Sequence, residues 1–289
     1  MSTSTEKIGR ILVGVDASEN AVRALDWAAS LAASLEARLT VAHALDLPDP
    51  IQAPRSTETT GHRARRHREG ERILARTTKR ARERHPGLQV VAELSEREPA
   101  QALAALALDA DLLVTGTRGH GGFTGMLLGS VSNKLAAHAP CPIVVIGIDV
   151  PFETRPELVL GIGIGKDEDP TPIEYAFRLA TLLGLSIRAV HAFQPEIAYG
   201  GYYAETEPAI AEDVETLLKP VRENHPDTEV TIDPRQGVPV PTLAQAARGA
   251  RLIVVGSHRR RGPLSFGPGH IVHGLLSHAD TPVAVVPIG

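Results

Sequence analysis

Residues Arg10–Asp46 read RILVGVDASENAVRALDWAASLAASLEARLTVAHALD. A short apolar run near Ile11–Val15 is followed by helical spacing over Glu19–Leu35 and by a second apolar run near Leu39–Ala44. Strand, helix, strand with nearly unbroken apolar strands predicts a βαβ unit in a parallel sheet buried on both faces. The pattern occurs twice. Residues Glu157–Gln194 read ELVLGIGIGKDEDPTPIEYAFRLATLLGLSIRAVHAFQ, and one inserted residue aligns Trp27 with Tyr175, Leu31 with Leu179 and His43 with His191. Farther on, Asp111–Thr117 (DLLVTGT) repeats as Arg251–Ser257 (RLIVVGS), and Ala139–Ile146 (APCPIVVI) as Ala279–Val286 (ADTPVAVV). A period of about 140 residues is too long for a solenoid and fits two copies of one domain.

Outward from that repeat, the first copy shows further strands near Gln89–Ala92, Leu112–Thr115 and Ile143–Ile146. Helices are expected near Arg63–Arg84, Pro99–Leu108 and Gly129–His138. The fold class is therefore α/β, two tandem doubly wound, Rossmann-like domains with five-stranded parallel sheets. Residues 1–150 and 151–289 form the two domains, joined at the proline-containing Asp149–Pro156. Leu47–Gly61 is expected to be a loop, with a counterpart starting at Tyr199–Tyr203.

Composition removes several function classes. No apolar run approaches the roughly 20 residues of a membrane-spanning helix, and Met1–Gly9 lacks the apolar core of a secretory signal, so a cytoplasmic location is expected with no membrane partner. The single cysteine, Cys141, sits between two prolines; it can form no internal disulfide and reads as a buried, inert thiol. Net charge is −4, split +1 for residues 1–150 (18 basic, 17 acidic) and −5 for the rest (12 basic, 17 acidic). Neither half is a basic arm, and 3 % aromatic residues leave few stacking platforms, so no nucleic-acid partner is expected. Arg63–Arg84 holds ten basic residues against three Glu and reads as a solvated helix face. His270 and His273 lie three apart on a helix without a neighbouring carboxylate or thiol, so no metal site is read there.

In doubly wound sheets ligands bind beyond the carboxyl ends of the strands. After the fourth strand comes Gly116-Thr117-Arg118-Gly119-His120-Gly121-Gly122, then Gly125 and Gly129-Ser130-Val131-Ser132 opening a helix: six glycines in fourteen residues. Glycine lets backbone approach a ligand closely, the first amides of a helix have no internal partners, and the helix dipole favours an anion, so a polyphosphate fits. Read as local structure alone, Ser130 would simply cap the helix.

With these residues the chain resembles the universal stress proteins, in their tandem two-domain form. Their ATP-binding members carry Gly, two residues, Gly, nine residues, then Gly-Ser or Gly-Thr. Gly116, Gly119, Gly129 and Ser130 match every fixed position. The Val-Gly-Val-Asp opening, the His43 strand end and the Pro-Cys-Pro segment agree with it. The resemblance implies ATP as cofactor, with Mg²⁺ allowed beside it. It places Gly14 and Asp16 near the nucleoside, the backbone of Ala44 against the adenine edge, Gly116–Gly122 around the phosphates, and Gly129, Ser130, Val131 and Ser132 closing on them. Asp16 could instead cap the following helix, although Ser18 offers that cap as well.

The second copy keeps the spacing and loses the contents: Gly256-Ser-His-Arg259, nine residues, Gly269-His270, with Gly163 at the Asp16 position. That degenerate site is expected to bind nucleotide weakly or not at all. Gly161–Lys166 lacks the spacing of an ATPase phosphate loop. No base, metal ligands and charge clamp are arranged together for rapid phosphoryl transfer, so no catalytic residue is assigned and at most weak ATP hydrolysis is expected. The reading is an adenine-nucleotide-dependent regulator of stress response or growth, acting on an unknown protein partner. A slow ATPase or transferase and a nucleotide-free scaffold are the alternatives. The two copies are expected to pair through Ile143–Ile146 and Val283–Val286, with homodimerisation of the whole chain also allowed.

Overall fold

The computed structural model describes residues 7–47, 57–117, 128–148, 150, 154–165, 168–194, 206–258 and 269–289. The chain divides into two compact units, Lys7–Ile146 and Gly147–Gly289.

In the first unit, β1 (Arg10–Gly14), α1 (Glu19–Ser34), β2 (Arg38–Ala44), α2 (Thr57–Arg84), β3 (Val90–Ser95), α3 (Pro99–Leu106), β4 (Leu112–Gly116), α4 (Ser130–His138) and β5 (Ile143–Ile146) follow one another. The strands pair in the order β3-β2-β1-β4-β5, all parallel. The chain winds outward from β1 to β3, then returns to β1's other side for β4, which puts the topological switch point between β1 and β4. Ile11, Leu12, Val13, Leu112, Leu113 and Val114 are at most 1 % exposed, as a sheet covered by helices on both faces requires. Each such side chain contributes about 1.5–3 kcal/mol by leaving water. The face of α1 turned to the sheet is small, with Ala21, Ala24, Ala28, Ala29 and Ala32 buried around Leu25 and Leu31.

The second unit repeats the plan with β6 (Arg155–Gly161), α5 (Thr171–Leu183), β7 (Ser186–Phe193), α6 (Glu207–Arg222), β8 (Val230–Gln236), α7 (Pro239–Ala247), β9 (Ala250–His258), α8 (His270–His278) and β10 (Val283–Ile288). Its order is β8-β7-β6-β9-β10, again parallel. The fold is thus α/β, with two tandem doubly wound five-stranded units. Among the described residues no helix is long and apolar enough to cross a membrane.

Three elements differ from the sequence reading by more than one residue at an end. β3 runs on to Ser95 rather than ending at Ala92, because an edge strand with exposed positions lacks the unbroken apolar run that the reading sought. The helix expected from Arg63 starts at Thr57, so Thr57–Gly61 are helical, while 48–56 and the expected counterpart loop at Tyr199–Tyr203 lie outside the described residues. α3 stops at Leu106 and tightens into a 3₁₀ turn over Ala107–Asp109 that leaves Leu108 74 % exposed. Cys141 is buried, and burial, reinforced by the nearby Asp111 carboxylate, pushes its thiol up to about 12, consistent with an inert group.

Candidate functional site

The carboxyl ends of β1, β2 and β4 open into a cleft of about 420 Å³ in the first unit. Asp16 leaves the end of β1 half-buried on its wall. Its carboxylate accepts from the Ser18 amide at 2.8 Å, and Ser18 Oγ accepts from the Ala21 amide at 3.2 Å, so Ser18 is the helix cap and Asp16 stays outside α1. Gly14 and Ala44 line the same cleft from β1 and β2. His43 turns its Nδ1 to the Val15 carbonyl at 2.8 Å; a carbonyl only accepts, so this nitrogen carries the hydrogen.

The opposite wall is the junction of β4 with α4. Gly116, Gly129, Ser130, Val131 and Ser132 all line the cleft. A side chain at Gly116 would place its Cβ 2.9 Å from the backbone oxygen of Asn20, so only glycine lets β4 end this close to α1. Gly129 is the N-cap of α4 at φ −73°, ψ 152°, an extended conformation open to any residue. What glycine contributes there is an N-cap with no side chain of its own to bond the first-turn amides, which among the described residues have no side-chain cap. Ser132 is buried and its hydroxyl donates to the Gly116 carbonyl at 2.6 Å, committing its hydrogen to the joint. Thr117 does not line the cleft: its amide donates to Ile146 and its carbonyl accepts from Gly129. Arg118, Gly119, His120, Gly121 and Gly122 lie outside the described residues.

Sequence reasoning missed a third wall. Arg66, Glu69, Gly70 and Ile73 of α2 also line the cleft. Gly70 permits this, because a Cβ there would lie 2.6 Å from Leu45 Cδ2, 2.8 Å from Leu94 Cδ1 and 3.1 Å from His43 Cδ2. Arg66 donates to the Leu45 carbonyl, Arg63 pairs with Glu96, and His67 Nε2 lies 2.6 Å from the other Glu96 oxygen. These contacts hold Glu96 below the ordinary carboxylate range, chiefly through His67 and then Arg63, against the opposing effect of burial. Arg80 and Arg84 reach Asp26 of α1, and Arg82 the Val90 carbonyl. The basic helix is therefore a tethered wall rather than a uniformly solvated face. A glycine inside an otherwise helical run was the available signal.

In the second unit His191 meets the Ile162 carbonyl at 2.9 Å, repeating the His43 bond. At Gly163, where Asp16 has its carboxylate, a Cβ would lie 2.8 Å from a carboxylate oxygen of Glu168, which takes up that space. Gly256 ends near Ile288 and Pro172, Gly269 opens α8 at φ +82°, His270 is exposed, and Arg259 lies outside the described residues. Among the described residues no group of three or more His, Cys, Asp or Glu could hold a metal ion.

A five-stranded parallel sheet of this order, with a cleft at its switch point and a glycine-bounded strand-to-helix turn, defines a tandem doubly wound α/β protein with a ligand-sized cavity. The universal stress protein family profile matches residues 7–147 and again 158–287, and the chain belongs to that family. A universal stress protein of Mycobacterium tuberculosis is 30 % identical over 95 % of this chain and 96 % of its own length. One from Mycolicibacterium smegmatis is also 30 % identical, over 96 % of each. In fold, a universal stress protein from Archaeoglobus fulgidus superposes with a TM-score of 0.77 over 98 % of this chain and 100 % of its own, at 16 % identity.

Proposed function

We propose that the cleft of the first unit binds ATP and that its occupancy changes a surface read by a protein partner in stress response or growth control. The observation that supports this is the start of α4: among the described residues its first turn has no side-chain cap, and it borders a cavity that Asp16 also lines. An uncapped helix end suits phosphate oxygens, and a carboxylate suits ribose hydroxyls or the adenine amine. Ala44, ending β2, supplies backbone for the base edge. Gly116, Gly129 and Ser130 keep the spacing of the ATP-binding universal stress proteins, and Mg²⁺ would accompany the phosphates.

The reading assigns residues 1–150 an intact nucleotide module and residues 151–289 a degenerate one, in a cytosolic regulator rather than a rapid enzyme. A ligand shifts a conformational equilibrium only through differential affinity, so the partner must distinguish loaded from empty protein. Purified protein denatured and analysed by mass spectrometry should release an adenine nucleotide. The doubly substituted Gly129→Arg, Ser130→Glu protein should release none, since it sets bulk and negative charge at the phosphate end. Retention of nucleotide by that variant, folded as judged by circular dichroism, would end the proposal.

A further inference from the structure

Thr115, next to last in β4, lines the cleft and is 4 % exposed. Among the described residues nothing hydrogen-bonds its buried hydroxyl. A buried hydroxyl without a partner opposes folding, so its presence in a strand needs a reason. The second unit shows that packing is not that reason. Gly14, Leu103 and Thr115 recur there as Gly161, Leu243 and Val255, and Val255 is also 4 % exposed. In both units the glycine lies under the leucine: a Cβ on Gly14 would be 2.6 Å from Leu103 Cδ1, and one on Gly161 3.3 Å from Leu243 Cδ2 and 2.9 Å from Val255 Cγ1. Valine, the same shape as threonine with equal preference for strands, fills this position without a polar atom. Only the unit with Asp16, Gly129 and Ser130 around its cleft carries the hydroxyl.

Resting on the ATP reading, we propose that Thr115 is a specificity-determining residue whose hydroxyl bonds a ribose hydroxyl of the bound nucleotide. The order of the elements places it. In that reading the base end lies at β2 and Asp16 and the phosphate end at Gly129 and Ser130, while β4 pairs with β1 and leads on toward Gly129. A 120° turn about Cα–Cβ carries the threonine hydroxyl to a neighbouring staggered position, and in this proposal the bound sugar selects the one that faces the cleft. The ligand then supplies the missing partner, and a sugar lacking its hydroxyl leaves the group unpaired again.

Calorimetric titration of wild type, Thr115→Val and Thr115→Ser with ATP, 2′-deoxy-ATP and 3′-deoxy-ATP tests this. Thr115→Val should bind ATP roughly three- to tenfold more weakly, the value of one net hydrogen bond, and Thr115→Ser should recover most of the loss. For one of the two deoxynucleotides the loss should vanish. The ligand-free valine variant should melt at or above the wild-type temperature. Unchanged ATP affinity in Thr115→Val, an equal loss with all three nucleotides, or a lower melting temperature of the ligand-free variant would overturn the assignment while leaving the ATP reading intact. Failure of the wild type itself to bind ATP would overturn both.

Discussion

Glu36 and Gly184 occupy the same place in the two copies and show how one residue sets a helix end. Each follows its helix with positive φ, 52° and 63°, and each cap has the same pair of backbone bonds: Glu36 to Ala33 and Ala37 to Ala32, Gly184 to Thr181 and Leu185 to Ala180. Only glycine adopts that conformation freely, and the Lys7–Glu36 pair at 3.7 Å is too exposed to offset much of the strain. Glu36→Gly should therefore raise stability by about 0.5–1 kcal/mol, and Gly184→Ala lower it by about 1 kcal/mol, in urea unfolding. A different rule governs Gly116, whose constraint is space rather than φ. Its added Cβ would meet backbone, which cannot swing aside as a side-chain tip can. Gly116→Ala should cost about 1–3 kcal/mol and weaken ATP binding together, because α1 and the adjoining Asp16 must shift.

The element with most influence on the cleft beyond the sheet is α2. Its docking rests on the Gly70 contact with Leu45, Leu94 and His43, and on Glu96 holding Arg63 and His67. Because Glu96 titrates below its ordinary value of 4.5, the unfolded chain takes up this proton first as pH falls. The tether thus contributes fully above that value and is lost as pH drops through the lowered one. Glu96→Gln should flatten the acid limb of the stability curve below about pH 4.5. At neutral pH it should cost about 0.5–1 kcal/mol, since the pair is partly exposed and solvent screens it. Hydrogen exchange should show faster opening in the first half of α2, whereas an unaltered α2 would mean that the Gly70 packing and the Arg66, Arg80, Arg82 and Arg84 contacts suffice to hold the helix.

Across the whole molecule the two units share strand order, the histidine-to-strand bond and the Gly-Leu packing pair, yet only the first has an aspartate after its first strand and Gly-Ser at the start of its fourth helix. In the second unit Glu168 occupies the space that a side chain at Gly163 would need, and His270 stands in place of Ser130, so we propose that it binds nucleotide weakly or not at all. Equilibrium dialysis should find one ATP per chain at concentrations that saturate the first site; two equivalent sites would contradict this. Much of the architecture was legible in advance, because apolar runs, helical spacing and an aligned repeat are local or periodic signals. That Gly116, Gly129 and Asp16 would meet at one cleft was legible because all three lie just beyond strand ends or at the following helix start.

The amino-acid sequence by itself determined that two like α/β units follow one another, that a glycine-rich turn follows the fourth strand of the first, and that the second copy departs from that turn's glycine and serine positions. Tertiary structure alone decided the rest: that α2 walls the cleft through Arg66 and Gly70, that Ser132 is bonded into the joint, and that the Thr115 hydroxyl is buried with no partner among the described residues. The physical reason is that period and spacing are written along the chain. Burial and hydrogen-bond satisfaction depend on what distant segments bring alongside, such as Leu45 against Gly70 or Glu96 against His67, and exist only once the chain has folded.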